Sequence, residues 1–255
     1  MPEQRTIRSL IHEATRTLSK SGVDSAELNA RLLLAHVLGV EEWQLGVYRK
    51  KISEQQANQL GGLIQKRSQR IPLQHLVGSV GFYGLDVQVS PSALIPRPET
   101  ELLVETVIKT IHSQQKQNEP VKLLDMATGT GCIALALAKE LPMAQVWGLD
   151  ISEAALTLAR NNASNSGLEK RVTWIHSDMW SGIEDPQQQW DYIISNPPYI
   201  PSHEIRELEP EVRDHDPKLA LDGGQDGLDI YRILAHQAGR WTTQRGFIFL
   251  ECGKD

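Results

Sequence analysis

The stretch "VKLLDMATGTGCIALALAKEL", residues 121–141, decides the fold. A β-rich run, Val121 to Met126, ends in the turn Ala127-Thr128-Gly129-Thr130-Gly131, and an alanine- and leucine-rich helical stretch follows. Gly129 and Gly131 let the backbone approach a ligand, and the helix N-terminus offers it free N–H groups. Asp150 closes the next strand, "QVWGLD" (145–150), where an acid can hold a ribose diol. On spacing alone the turn also satisfies the dinucleotide pattern G-x-G-x-x-A over 129–134. Asp125 weighs against a dinucleotide, because a carboxylate at the mouth of the turn repels a pyrophosphate and attracts an α-amino group. A nucleoside with a cationic amino-acid tail fits, and S-adenosylmethionine has that form.

Working outward, "SEAALTLARNNAS" reads as a helix, "RVTWIHSD" and "WDYIIS" as strands, "DGLDIYRILAHQAGR" as a helix and "GFIFLEC" as a strand. Such alternation predicts an α/β domain, a mostly parallel sheet with helices on both faces. In a doubly wound sheet of order 3-2-1-4-5, strands 1 and 4 are neighbours at the switch point, and ligands bind outside their carboxyl ends. Asp125 to Gly131 follows strand 1. Asn196-Pro197-Pro198-Tyr199 follows strand 4, so the two segments are expected in one crevice.

The second segment has its own chemistry. A planar amide or arylamine nitrogen is a weak nucleophile because its lone pair is delocalised. Two acceptors that bind its hydrogens orient it and favour the pyramidal form it takes in the transition state. The Asn196 side-chain oxygen is one such acceptor and the Pro197 carbonyl the other, with the prolines fixing direction. Tyr199 offers a flat face to a planar group.

Before residue 75 the chain reads as helices. Ile7, Leu10, Ile11, Ala14 and Leu18 keep helical spacing and Ser21-Gly22 ends the segment. Ser25 is expected to cap a second helix with an apolar face of Leu28, Leu32, Ala35 and Leu38. Ser53 and Gln56 have the capping-box pattern for a third. Val77–Phe82 and Leu85–Val89 flank Tyr83-Gly84 as a hairpin. Pro98 then opens a helix with Glu99 and Glu101 in its first turn. The expected organisation is a helical domain (1–74), a hairpin linker (75–93) and an α/β domain (94–255). The acidic segment around Glu204 to Asp216 is expected to be a solvated lid.

With 40% hydrophobic and 23% charged residues among 255, a packed core is expected. A net charge of -6 argues against stable nucleic-acid binding, which rests on Lys and Arg. Cys132 and Cys252 form neither a disulfide framework nor a metal spacing, and no H-E-x-x-H occurs, so no metal site is expected. The N-terminus lacks the apolar core of a secretory signal, and no apolar run reaches the ~20 residues of a membrane span. The expectation is a cytoplasmic protein.

"LIPRPETELLVE" (94–105), "DMATGTGCIALALA" (125–138), "DYIISNPPYI" (191–200) and "LALDGGQDGLDIYR" (219–232) together resemble the HemK/PrmC family of release factor glutamine methyltransferases. Asn-Pro-Pro-Tyr also occurs in adenine-N6 methyltransferases, the alternative reading. "PRPETE" and "GGQDGLDIYR" are more specific to the family. The resemblance implies a Rossmann-like class I S-adenosylmethionine-dependent methyltransferase domain with seven strands, joined by the hairpin to an N-terminal helical bundle that docks the substrate. It implies methyl transfer to the N5 amide of the Gly-Gly-Gln glutamine of class I peptide chain release factors, leaving S-adenosylhomocysteine. Asp125 and Ala127, Thr128, Gly129, Thr130 and Gly131 would hold the methionine end, Asp150 the ribose, and Asp178 and Met179 the adenine. Arg97 would reach the same pocket, and Asn196, Pro197, Pro198 and Tyr199 would hold the glutamine. Ala127 replaces a usual glycine; being small, it is expected to keep close approach of the cofactor if its φ is negative. Met179 replaces a usual aromatic, which leaves Trp180 as a second candidate against the adenine. The last helix and two strands of the family pattern have no counterpart after "FIFLECGKD". Gly223-Gly224-Gln225 spells the substrate motif but reads as a loop leading into a helix near Asp226.

Overall fold

The computed structural model describes residues 6–185 and 187–253. The first five and last two positions of the expected domains lie outside the described residues. The chain divides into two compact units, Met1–Gly78 with Pro210–His215, and Ser79–Glu209 with Asp216–Asp255.

The first unit is helical. Helix α1 (Ile7–Lys20) starts at a Thr6–Ser9 capping box and buries Leu10, Ala14 and Leu18. Helix α2 (Ala26–Leu38) departs from expectation at both points. Ser25 precedes it in a left-handed conformation, φ 48°, and makes no side-chain cap. Its buried apolar face is Ala26, Ala30, Leu33, Leu34 and Ala35, the last as expected, with Leu38 packed against the core, whereas Leu28 is 50% exposed. The leucines of "ELNARLLLAHVL" permit two stripes, and the one flanked by small alanines packs closer. A 3-10 turn (Glu42–Val47) precedes α3 (Glu54–Ser68), which has the expected Ser53–Gln56 box. Helix α4 (Leu73–Val77) takes Val77, expected as the first residue of a strand.

The second unit opens with β1 (Ser79–Phe82) and β2 (Leu85–Gln88), an antiparallel hairpin. Tyr83 and Gly84 both have positive φ, 47° and 70°, as a two-residue turn of primed type requires. Helix α5 (Pro98–Ser113) carries Pro98 in its first turn, where the missing N–H costs nothing. Strand β3 (Lys122–Met126), α6 (Cys132–Glu140), β4 (Gln145–Asp150), α7 (Glu153–Asn165), β5 (Val172–His176) and β6 (Trp190–Ser195) then alternate. The chain passes through α8 (Pro210–Arg213), which belongs to the helical unit, before α9 (Asp229–Trp241) and β7 (Thr242–Leu250). Helix α9 begins three residues later than expected.

The sheet is parallel with order β5-β4-β3-β6-β7, the doubly wound order expected. This sheet has five strands among the described residues, against the seven that the resemblance implies. Side chains alternate along β3. Leu123 packs with residues of α5, α6 and α7 in one core, and Leu124 packs with α9 in the other. Each fully buried leucine contributes roughly 1.5–3 kcal/mol. In the second core Trp180 stacks on Trp241, centroids 5.6 Å apart and planes at 11°.

In the acidic segment Glu204, Glu207, Glu209 and Asp214 are exposed as expected, but Glu211 and Asp216 are not solvated. Within the helical unit, the Glu211 carboxylate receives Arg67 Nη2 at 2.8 Å and Arg70 Nη2 at 2.6 Å. Arg67 is itself buried and reaches Asn29 Oδ1 at 2.9 Å. Within the α/β unit, Asp216 is buried and receives Arg97 Nη2 at 2.6 Å.

Candidate active site

Strand register builds the site. Met126 of β3 pairs with Ser195 of β6, so the turn 127–131 and the segment 196–199 leave adjacent strand ends. The Ser195 hydroxyl donates to Met126 O at 2.7 Å and fastens the two ends together. The crevice outside them is lined by Ala127 to Thr130, Asp150, Asp178, Met179, Asn196 and Pro198, with Arg97 and Thr100 from the start of α5.

The turn is held in an unusual backbone. Ala127, Gly129 and Gly131 have φ of 58°, 56° and 81°. The condition of negative φ for close approach at Ala127 is therefore not met. Three N–H groups of the turn are already engaged and hold it in this shape: Thr128 N donates to Leu149 O at 2.9 Å, Gly129 N to Asp150 Oδ2 at 2.8 Å and Gly131 N to Thr128 O at 2.8 Å. Gly131 has a further reason to lack a side chain, since a Cβ there would lie 2.9 Å from the Trp174 ring and 3.0 Å from Ala159.

Asp125 lies beneath this turn. It is fully buried and outside the crevice lining. Oδ2 accepts from the Thr128 hydroxyl and from Ala134 N, so it ties the turn to α6. Oδ1 is buried with no partner. Burial pushes the carboxyl up to about 7, against the lowering pull of those two hydrogen bonds.

Asp150 stands at the end of β4 with Oδ2 accepting from Gly129 N at 2.8 Å and Oδ1 from Ser152 N at 2.9 Å. Burial also raises its pKa. Each oxygen keeps a lone pair for a further donor, which suits a diol. On the next loop Ser177 accepts from Gly182 N and donates to Met179 O, both at 2.7 Å, and so shapes the segment carrying Asp178 and Met179. Trp180 is buried in its stack and does not line the crevice. The apolar wall is aliphatic instead, made of Met179, Ile151, Leu219 and Ile230.

Asn196 donates from Nδ2 to Thr100 Oγ1 at 3.2 Å. Pro197 is buried, and neither it nor Tyr199 belongs to the lining. The segment 221–227 holds the backbone just after Tyr199, and Gly223 and Gly227 lie directly against the Tyr199 backbone. Ile200 N donates to Leu221 O at 3.0 Å and Gly223 N to Ile200 O at 2.9 Å. Gln225 is exposed. This loop is thus a brace of the Asn-Pro-Pro-Tyr segment.

Several residues escaped the sequence reading. Asn162 of α7 is 2% exposed and donates to Gln88 O at 3.1 Å and Thr130 O at 2.9 Å, joining the hairpin to the turn. Thr100, Glu251 and Ser177 are the others. Their only sequence signal is polarity at an element boundary. Cys132 is buried with its thiol pushed up to about 12 by burial, which keeps it inert. No cluster of metal-ligating side chains occurs among the described residues.

Two family models match the chain, "PrmC N-terminal domain" over residues 9–78 and "Methyltransferase small domain" over 98–212. A release factor glutamine methyltransferase of Geobacter sulfurreducens is 39% identical over 99% of this chain and 86% of its own length. One from Agrobacterium fabrum is 37% identical over 98% of this chain and 86% of its length. One from Caulobacter vibrioides is 39% identical over 93% and 81%.

Proposed function

We propose the reaction from one premise: the chain belongs to the release factor glutamine methyltransferase family. It transfers a methyl group from S-adenosylmethionine to a glutamine side-chain amide of a release factor. The cofactor supplies an electrophilic methyl group on a sulfonium. The finer reading is that the acceptor is the N5 amide of the Gly-Gly-Gln glutamine of class I peptide chain release factors.

The observation that carries this reading is the meeting of Asn196 with the Ala127–Gly131 turn and Asp150 in one crevice. In this reading Asp150 holds the ribose. The turn receives the methionine end, and Asp125, buried beneath the turn, favours an α-ammonium group there through space. Asp178 and Met179 flank the adenine, and Arg97 closes the crevice while paired to Asp216. Asn196 Oδ1 and the Pro197 carbonyl each accept one hydrogen of the glutamine amide. That orients its nitrogen and favours pyramidalisation, and a Pro198–Tyr199 wall excludes water. The helical domain 1–74 docks the release factor and the hairpin 75–93 links it to the α/β domain 94–255. No helix among the described residues is long and apolar enough to cross a membrane, and a substrate from translation supports a cytoplasmic site of action. Nucleic acid is not part of the proposed complex. The adenine-N6 alternative is not favoured, since the relatives are named for glutamine.

The test is methyl transfer from labelled cofactor to a release factor, to that factor with its Gly-Gly-Gln glutamine replaced by alanine, and to DNA. Label is expected in the first alone. Label in DNA and not in the release factor would overturn the assignment.

A further inference from the structure

An asparagine amide has two faces. Asn196 serves a substrate NH2 only if its oxygen points at the acceptor site, and a half-turn about its last bond would present NH2 to NH2. Nothing within Asn-Pro-Pro-Tyr sets that choice. The residues behind it do. Thr100 is 3% exposed in the first turn of α5, and its Oγ1 accepts from Asn196 Nδ2. Glu251 follows β7 and its backbone is fixed twice. Its N–H donates to Ser195 O at 3.0 Å, and its carbonyl accepts from the Tyr231 hydroxyl at 2.6 Å. Burial raises the pKa of its half-buried carboxyl, against a lowering pull from the Thr100 and Asn196 side chains beside it, and Oε2 is buried without a partner.

An ionised carboxylate can only accept. Whatever faces Glu251 must therefore donate: the Thr100 hydroxyl proton and the Asn196 NH2. Placing Asn196 Oδ1 on that side would set it against an anion in a poorly solvated place, which is costly. We propose that Thr100 and Glu251 are positioning residues that lock the Asn196 amide with Nδ2 inward and Oδ1 free for the acceptor amide. This rests on the proposed glutamine reading for its purpose but not for its geometry. It also gives the "PRPETE" motif a role. Pro98 starts the helix, and Thr100 stands two positions on, behind the reacting group.

The test has two readouts on the intact chain. The first needs no substrate: hydrogen exchange of the Asn196 side-chain NH2, followed by NMR. Thr100→Val and Glu251→Gln are expected to speed it by about tenfold or more, and Thr100→Ser to leave it near the wild-type rate. The second is turnover on the release factor. Thr100→Val and Glu251→Gln are expected to lower kcat by roughly 10–100-fold, as loss of orientation does, with cofactor Kd within about twofold. Thr100→Ser is expected to restore kcat, and the Val/Gln double variant to be no worse than the poorer single variant, because both act through one amide. Unchanged exchange in Thr100→Val, or full kcat in a folded Thr100→Val, overturns the proposal. A wild-type enzyme that fails to label the release factor would sink the glutamine reading alone, since the exchange readout stands apart from it.

Discussion

Ala127 and Gly129 share one backbone conformation, left-handed with φ of 58° and 56°, two residues apart in the turn that faces the crevice. Glycine adopts it freely; for alanine the Cβ costs about 1 kcal/mol or somewhat more. Ala127→Gly is therefore expected to stabilise the α/β unit by roughly 1 kcal/mol, read as a higher denaturation midpoint at unchanged slope. Cofactor Kd is expected to stay the same or tighten. A lower midpoint would show that Ala127 does not hold this conformation.

Asp125 sets a pH dependence on the cofactor. Its carboxyl is pushed up to about 7 by burial. A folded pKa above the unfolded value means the folded state keeps a proton the unfolded state loses. Stability of the free enzyme from this group thus falls as pH rises from about 4 to 7. A cation held in the crevice above the buried Asp125 favours the ionised form through space. Cofactor binding near pH 6 is then expected to release a proton, and affinity to climb with pH and level off above about 7. Calorimetry at about pH 6 in two buffers of different ionisation enthalpy measures that proton. Asp125→Asn is expected to abolish its release; the same release from that variant would assign it elsewhere.

Glu211 gives the opposite sign in the helical unit. Burial opposes its ionisation, but the Arg70 and Arg67 guanidinium groups win and hold its carboxyl at about 2. A depressed folded pKa contributes stability above the unfolded value near 4.5, lost as pH falls toward 2. With solvent screening of the pair allowed for, the contribution above about pH 5 is on the order of 2 kcal/mol. Glu211→Gln is expected to destabilise at neutral pH by that order, and the gap between variant and wild type to narrow steadily below about pH 4.5. Acid titrations of the denaturation midpoint for both proteins test this, and a pH-independent gap would exclude the ion pair as its source.

Those three groups also mark how far the residues could be read in advance. Leu123 and Leu124, the turn glycines and Asp150 announce strand, turn and ligand because each signal is local: apolar period, missing Cβ, an acid at a strand end. The meeting of the turn after strand 1 with Asn196 to Tyr199 after strand 4 is legible too, because parallel order follows from alternation. What was hidden depends on distant partners. Nothing in "ELEPEVRDHD" shows that Glu211 meets Arg67 and Arg70, well over a hundred residues earlier, so the segment looked like a solvated loop. Ala127 carries no glycine to signal a positive φ. In α2 the run of leucines allowed two faces, and only packing against α1 and α3 chose between them. Trp180 is a candidate beside the adenine on sequence alone, and its stacking on the distant Trp241 takes it out of the crevice.

The "GGQDG" loop yields the last expectation. A Cβ at Gly227, where φ is 77°, would sit 2.3 Å from Tyr199 O, and one at Gly223 would sit 2.8 Å from Tyr199 Cα. Both neighbours are backbone, so neither can swing away. Gly227→Ala must then push the Tyr199 peptide, and through two prolines the displacement passes to Asn196. Misplacing a reacting group by about an ångström costs on the order of 100-fold in rate. The turn at 127–131 is untouched. Turnover is expected to drop by that order while cofactor Kd holds within about twofold. Gly61→Ala on α3 is the control, since no atom lies within 4 Å of the added Cβ. It is expected to leave turnover unchanged and to add roughly 0.5–1 kcal/mol of stability as a helix-interior glycine replaced. Equal turnover in the two variants would mean that the loop does not hold Tyr199 in place for the reaction.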